Sequence, residues 1–81
     1  MTDYRPVLFH SPTSPGCHRV RRAIRDLGAD VDQRSVLLSR RNRVELEQIA
    51  GNRRVPCLVV ASSVVQEPDE IVKFLELRYG Q

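Results

Sequence analysis

The chain has no tryptophan, one methionine, two phenylalanines and two tyrosines in 81 residues. It therefore offers no aromatic platform for stacking bases, and nucleic-acid binding would rest on its arginines alone. Two cysteines are too few for the disulfide framework of a small secreted domain, and they give no zinc spacing. No apolar run is long enough to span a membrane, and no signal-peptide pattern opens the sequence. The expectation is a cytoplasmic protein with neither a membrane partner nor a metal. Lysine is almost missing: of 13 basic residues only Lys73 is not arginine. Arginine suits carboxylates and phosphates, but a composition bias explains the count as well. The net charge of +3 is mild.

What is present suffices for one core. The apolar fraction of 41% argues against disorder, and 81 residues make a single small domain, 1–81. Residues 1–5 read as a loose terminus. No linker, internal repeat or low-complexity tract divides the rest.

The stretch Ser14-Pro15-Gly16-Cys17-His18-Arg19-Val20-Arg21 lies where an apolar strand pattern over 6–10 gives way to a helical one over 15–27. Ser14 can cap this helix and Pro15 suits its first position. Cys17 then falls in the first turn, where free N–H groups and the helix dipole favour an anion. Val20, Ala23, Ile24 and Leu27 form one apolar face, and Gly28 is a stop. Cys17 lies at the top of that face and is balanced between a packing residue and a reacting thiol.

A second strand is expected over 31–38. A short helix follows, with Ser39 and Asn42 as rival caps and Leu46, Ile49 and Ala50 as its apolar stripe. Pro56 leads into the apolar run Cys57-Leu58-Val59-Val60, with Cys57 read as core. Ala61-Ser62-Ser63 is a turn and 64–66 a returning strand. Glu67-Pro68-Asp69-Glu70 opens a third helix, with Ile71, Phe74 and Leu75 on its inner face. His10 and His18 read as structural or solvated. The order β-α-β-α-β-β-α predicts an α/β domain: one four-stranded mixed sheet with helices on both faces.

Three motifs in this order resemble the thioredoxin fold, in its branch of glutaredoxins and glutathione S-transferase N-terminal domains. Ser14-Pro15-Gly16-Cys17 followed by Val20-Arg21 is similar to a glutaredoxin Cys-Pro-Tyr-Cys motif with serine leading. Arg54-Val55-Pro56-Cys57-Leu58-Val59 resembles the family's Val-Pro before the third strand. Glu67-Pro68-Asp69-Glu70-Ile71-Val72-Lys73-Phe74-Leu75 is similar to the transferase Glu-Ser-x-x-Ile-x-x-Tyr-Leu.

The resemblance implies a glutathione site. Pro56 would be a cis proline, presenting the backbone of Val55 to the cysteinyl residue of glutathione. Glu67 would bind the γ-glutamyl ammonium, and Arg40, Arg41, Arg43 or Arg54 the glycyl carboxylate. The family's usual nucleophile position holds Ser14, which in some transferases donates a hydrogen bond to the glutathione thiolate. Cys17 stands at the position of the resolving cysteine. Pro68 replaces a serine whose hydroxyl and N–H hold the γ-glutamyl carboxylate, which leaves the N–H of Asp69 to compensate.

Two functions follow as expectations. The first is glutaredoxin-like thiol-disulfide exchange with glutathione as co-substrate and protein thiols or disulfides as partners, with Cys17 reacting and Ser14 stabilising the sulfur anion. The second is a non-catalytic glutathione-binding or protein-interaction domain on the same scaffold. A basic nucleic-acid binder is the remote alternative.

Overall fold

The computed structural model describes residues 5–80. Seven elements follow one another: β1 (Val7–His10), α1 (Pro15–Leu27), β2 (Asp32–Ser35), α2 (Arg40–Ala50), β3 (Cys57–Val60), β4 (Ser63–Val65) and α3 (Pro68–Tyr79). The expected loose terminus lies outside the described residues except for Arg5, whose Nε donates to Asp30 Oδ1 at 2.9 Å.

The strands form one sheet in the order β2-β1-β3-β4. β1 and β2 are parallel, with Val7 beside Asp32 and His10 beside Ser35. β3 runs antiparallel to β1 and places Cys57 beside Phe9; β4 closes the hairpin. The mixed sheet is the thioredoxin-like arrangement that the element order predicts.

Alternation along β1 divides the core in two. Leu8 packs with Val20 and Ile24 of α1, Leu58 of β3, and Ile71 and Leu75 of α3. Phe9 faces the other way and packs with Val36, Leu46 and Cys57. Helices α1 and α3 thus share one face of the sheet, and α2 covers the other.

The helix ends obey local chemistry. Gly28 and Gly51 end α1 and α2 in the left-handed conformation, φ 62° and 75°, which glycine adopts without a Cβ penalty. Of the two rival caps for α2, Ser39 is the one used: its Oγ accepts from the Asn42 N–H at 3.2 Å. Asn42 has a different task, donating Nδ2 to the Ser35 carbonyl at 2.9 Å.

Three expectations need correction. β2 ends at Ser35, not at residue 38, because the chain turns there; Leu37 and Leu38 are 52% and 84% exposed. Ile49 does not complete the buried stripe of α2, being 43% exposed, so Leu46 is that helix's one buried residue. β4 begins at Ser63, one residue before the predicted 64–66, because the tight turn is completed by Ala61 at φ 53°.

Candidate functional site

Topology gathers three helix N-termini at one end of the sheet. α1 follows the C-terminal end of β1, and α2 follows that of the parallel β2. Because β3 is antiparallel, its start lies at the same end, and so does the Val55–Pro56 peptide bond, which is cis. α3 joins them through a proline contact. A Cβ placed on Gly16 would stand 2.9 Å from Pro68 Cγ and 3.3 Å from Pro56 Cδ. Gly16 is thus the close-approach point where the first turns of α1 and α3 meet the cis-proline loop. The motif places glycine there without stating the reason, and the reason lies 40 and 52 residues away in Pro56 and Pro68.

Ser14 is the N-cap of α1. Its Oγ accepts from the Cys17 N–H at 3.4 Å, and its carbonyl accepts from the His18 N–H at 3.1 Å. The hydroxyl proton remains free to donate, and the residue is half-buried at the mouth of the junction. Pro15 has no N–H, which leaves Gly16 as the first-turn amide without a helical partner.

Cys17 is fully buried, and its sulfur accepts from the Ser11 N–H at 3.3 Å. Cys57, directly after Pro56, is fully buried as well, on the α2 face of the sheet. Both thiols are free, so they form no disulfide with each other. Burial pushes the Cys57 thiol up to about 11. The thiolate forms more readily in the unfolded chain, whose thiol titrates near the ordinary 9.0. The stability carried by the neutral thiol is therefore complete below pH 9 and is lost as pH climbs towards 11. Denaturant midpoints measured between pH 8 and pH 11 should fall more steeply for the native chain than for Cys57→Ala. Parallel curves would contradict this.

His10 ends β1 in the buried set, 8% exposed, with no hydrogen bond to Nδ1. Burial, followed by the nearby Arg21 guanidinium, holds its pKa below the usual 6.5. His10 is thus buried at the end of β1, and His18 is exposed on α1.

α3 begins at Pro68, with Glu67 as a backbone N-cap whose side chain makes no cap bond. The Ile71 N–H is taken by the Glu67 carbonyl at 2.9 Å. Asp69 and Glu70 therefore supply the first-turn amides that have no partner within the helix. The Asp69 carboxylate is drawn sideways by Arg19 of α1, whose Nη1 donates to it. This exposed pair links the second turn of α1 to the first turn of α3.

The arginines divide. Arg54 sits in the cis-proline loop, with Nη2 3.5 Å from Gln66 Oε1. Arg43 is committed to the β2–α2 connection, donating to the Val36 carbonyl at 2.8 Å. Arg40 and Arg41 line a separate groove of about 900 Å³ along α2, with Arg34 and Glu45 on its wall. Arg34 donates to Glu45 Oε1 at 2.7 Å and to Asp32 Oδ2 at 2.9 Å, and these bonds, Glu45's first, raise its pKa. The structure thus joins Ser14, Val55, Pro56, Glu67, Pro68, Asp69 and Arg54 at one end of the sheet. Arg40, the first residue of α2, starts at the same end of the sheet and lines the α2 groove. Sequence reasoning missed Asn52 and Gln66, which join the cis-proline loop to the start of α3. Their signal was faint, two amides 14 residues apart.

The sheet order and the converging helix starts define a thioredoxin-fold domain. A family model described as the glutathione S-transferase N-terminal domain matches residues 8–81, and the chain belongs to that family. It is similar in fold to a glutathione transferase homologue from Drosophila mojavensis crystallised with bound glutathione. That likeness has a TM-score of 0.80 at 21% identity, over 98% of this chain and 37% of the other. An unclassified glutathione S-transferase from Bombyx mori gives a TM-score of 0.82 at 22% identity, over 95% and 37%. A glutaredoxin from Archaeoglobus fulgidus gives 0.73 at 16%, over 86% and 84%. The chain therefore spans little more than a third of the transferases it resembles. No curated protein matches the sequence.

Among the described residues no helix is long and apolar enough to cross a membrane, and no cluster of His, Cys, Asp or Glu could hold a metal ion.

Proposed function

We propose that this domain binds glutathione through Ser14, the Val55 backbone and the start of α3, with the Ser14 hydroxyl donating to the ligand sulfur. The observation that carries this reading is the meeting of Gly16 with Pro56 and Pro68, which brings all three segments within one small ligand's reach. Val55 pairs with the cysteinyl backbone. Glu67 takes the ammonium of the γ-glutamyl group, and the Asp69 N–H takes its carboxylate. Arg54, on the same loop as Val55, is the best placed of the candidate arginines for the glycyl carboxylate. A serine hydroxyl and the Gly16 amide at a helix N-terminus lower the cost of a thiolate beside them. Electrophile binding and turnover belong to whatever further structure accompanies such a domain.

Titration with reduced glutathione, followed by amide NMR, tests the reading. Val55, Glu67 and Asp69 should shift together, and Ser14→Ala should leave binding in place while raising the pKa of the bound thiol, read by thiolate absorbance. An unperturbed Val55 and Glu67 at millimolar glutathione would sink it.

A second reading is favoured by one observation, the Ser11 N–H aimed at the Cys17 sulfur at 3.3 Å. In that reading Cys17 is the reacting thiol of a glutaredoxin-like exchange. The Cys17 thiolate attacks one sulfur of oxidised glutathione, the mixed disulfide forms, and reduced glutathione leaves as its thiolate. The full burial of Cys17 places this second, since attack needs the sulfur to reach solvent.

A further inference from the structure

Two half-buried carboxamides, Asn52 and Gln66, face each other beside the candidate site and bond in both directions. Gln66 Nε2 donates to Asn52 Oδ1 at 2.7 Å, and Asn52 Nδ2 donates to Gln66 Oε1 at 3.2 Å. Between them they hold the backbone of residue 54 from both sides. The Arg54 N–H donates to Asn52 Oδ1 at 2.9 Å, and the Arg54 carbonyl accepts from Gln66 Nε2 at 3.1 Å. Asn52 Nδ2 also reaches the Ala50 carbonyl at 3.3 Å, which anchors the pair to the end of α2. The orientation of both amides is fixed by this pattern, since flipping Asn52 would set a donor against the Arg54 N–H.

The residue after Arg54 is Val55, whose backbone the glutathione reading uses. The residue after Gln66 is Glu67, which caps α3. We infer that the Asn52–Gln66 pair is a positioning device that holds the Val55 backbone and Glu67 in register with each other, so that the cysteinyl and γ-glutamyl parts of one thiol ligand are read at once. This rests on the glutathione reading of the site. Two loops ordered before the ligand arrives cost it less on binding. Two amides in a partly dry setting are well suited to such ordering, because each bond polarises the next.

The chemistry of the pair gives an unequal test. Asn52→Asp keeps the oxygen that accepts from the Arg54 N–H and from Gln66, so both bonds to the backbone of residue 54 survive; its second oxygen gives up the Nδ2 donations to Ala50 and Gln66 and faces those acceptors instead. Gln66→Glu adds the same single negative charge but loses both Nε2 donations, to Asn52 and to the Arg54 carbonyl. Glutathione affinity should therefore stay within about threefold of native for Asn52→Asp and fall by about tenfold or more for Gln66→Glu and for Asn52→Ala. Hydrogen exchange at the Val55 amide should accelerate in the two weak binders. Asn42→Ala, which removes a bond to the Ser35 carbonyl and none to residues 52, 54 or 66, serves as a stability control. Equal affinity in all the variants overturns the inference and leaves the glutathione reading standing. A loss that merely follows thermal stability, and appears equally in Asn42→Ala, also overturns it. A native chain that binds no glutathione overturns both.

Discussion

Replacing Leu46 with alanine should cost the domain about 2–5 kcal/mol and release α2 ahead of the rest of the fold. Leu46 is the one buried residue of α2, fully enclosed against Phe9, Val36 and Cys57. The other core has seven buried residues, four of them from the two helices on its side. The two faces of the sheet are therefore unequal: α1 and α3 share the core built on Leu8 and Leu58, whereas α2 has a single fully buried anchor. Its remaining attachments are the partly buried Ala50 and polar contacts, among them Arg34 to Glu45, Arg53 to Glu47, and Asn42 to the Ser35 carbonyl. Half-exposed pairs of this kind each add about 1 kcal/mol or less. Hydrogen exchange on Leu46→Ala should show early loss of protection in α2 with α1 and α3 still protected. A uniform loss across all three helices would show that α2 unfolds only with the whole.

Pro68→Ser should raise glutathione affinity by about tenfold or more, the worth of one or two hydrogen bonds to a charged group. Proline at the first position of α3 suits the helix, because that N–H has no partner inside it. The same choice removes the donor closest to the junction with Gly16, and the Ile71 N–H is already bonded to Glu67. What remains for a carboxylate is the amides of Asp69 and Glu70, beside three carboxylate side chains, with one Arg19 drawn to Asp69. Serine restores an N–H and a hydroxyl at this point. The exchange should cost the helix no more than about 1 kcal/mol in chain entropy. Calorimetric titration of both chains with reduced glutathione decides. Equal affinities would mean that the start of α3 does not read the γ-glutamyl end.

Much of the architecture was legible because the elements carry local signals. α1 spans the residues its periodicity gives, from a serine cap and proline start to a glycine stop. The cysteine at the strand-to-helix junction was legible as a position but not as a chemical state. Helical spacing puts Cys17 at the top of the apolar face, and whether that means a mouth or a floor depends on what covers it. In the fold Cys17 is fully buried with the Ser11 N–H on its sulfur, and Ser14 one turn earlier is half-buried. The arginines were no more readable one by one. Arg40 and Arg54 look alike in the chain, yet one lines a groove along α2 and the other joins the cis-proline loop.

The sequence by itself determined the order of elements and most helix ends, since these follow from periodicity and caps acting within a few residues. Three motifs at family spacing also determined the family. The tertiary structure alone decided which of these residues share a site. Gly16 meets Pro56 and Pro68, and Asn52 finds Gln66, across stretches of chain that no local pattern links. The physical reason is the sheet: pairing β3 antiparallel beside β1 brings distant loops to one end, and only closing that sheet fixes which side chains meet there.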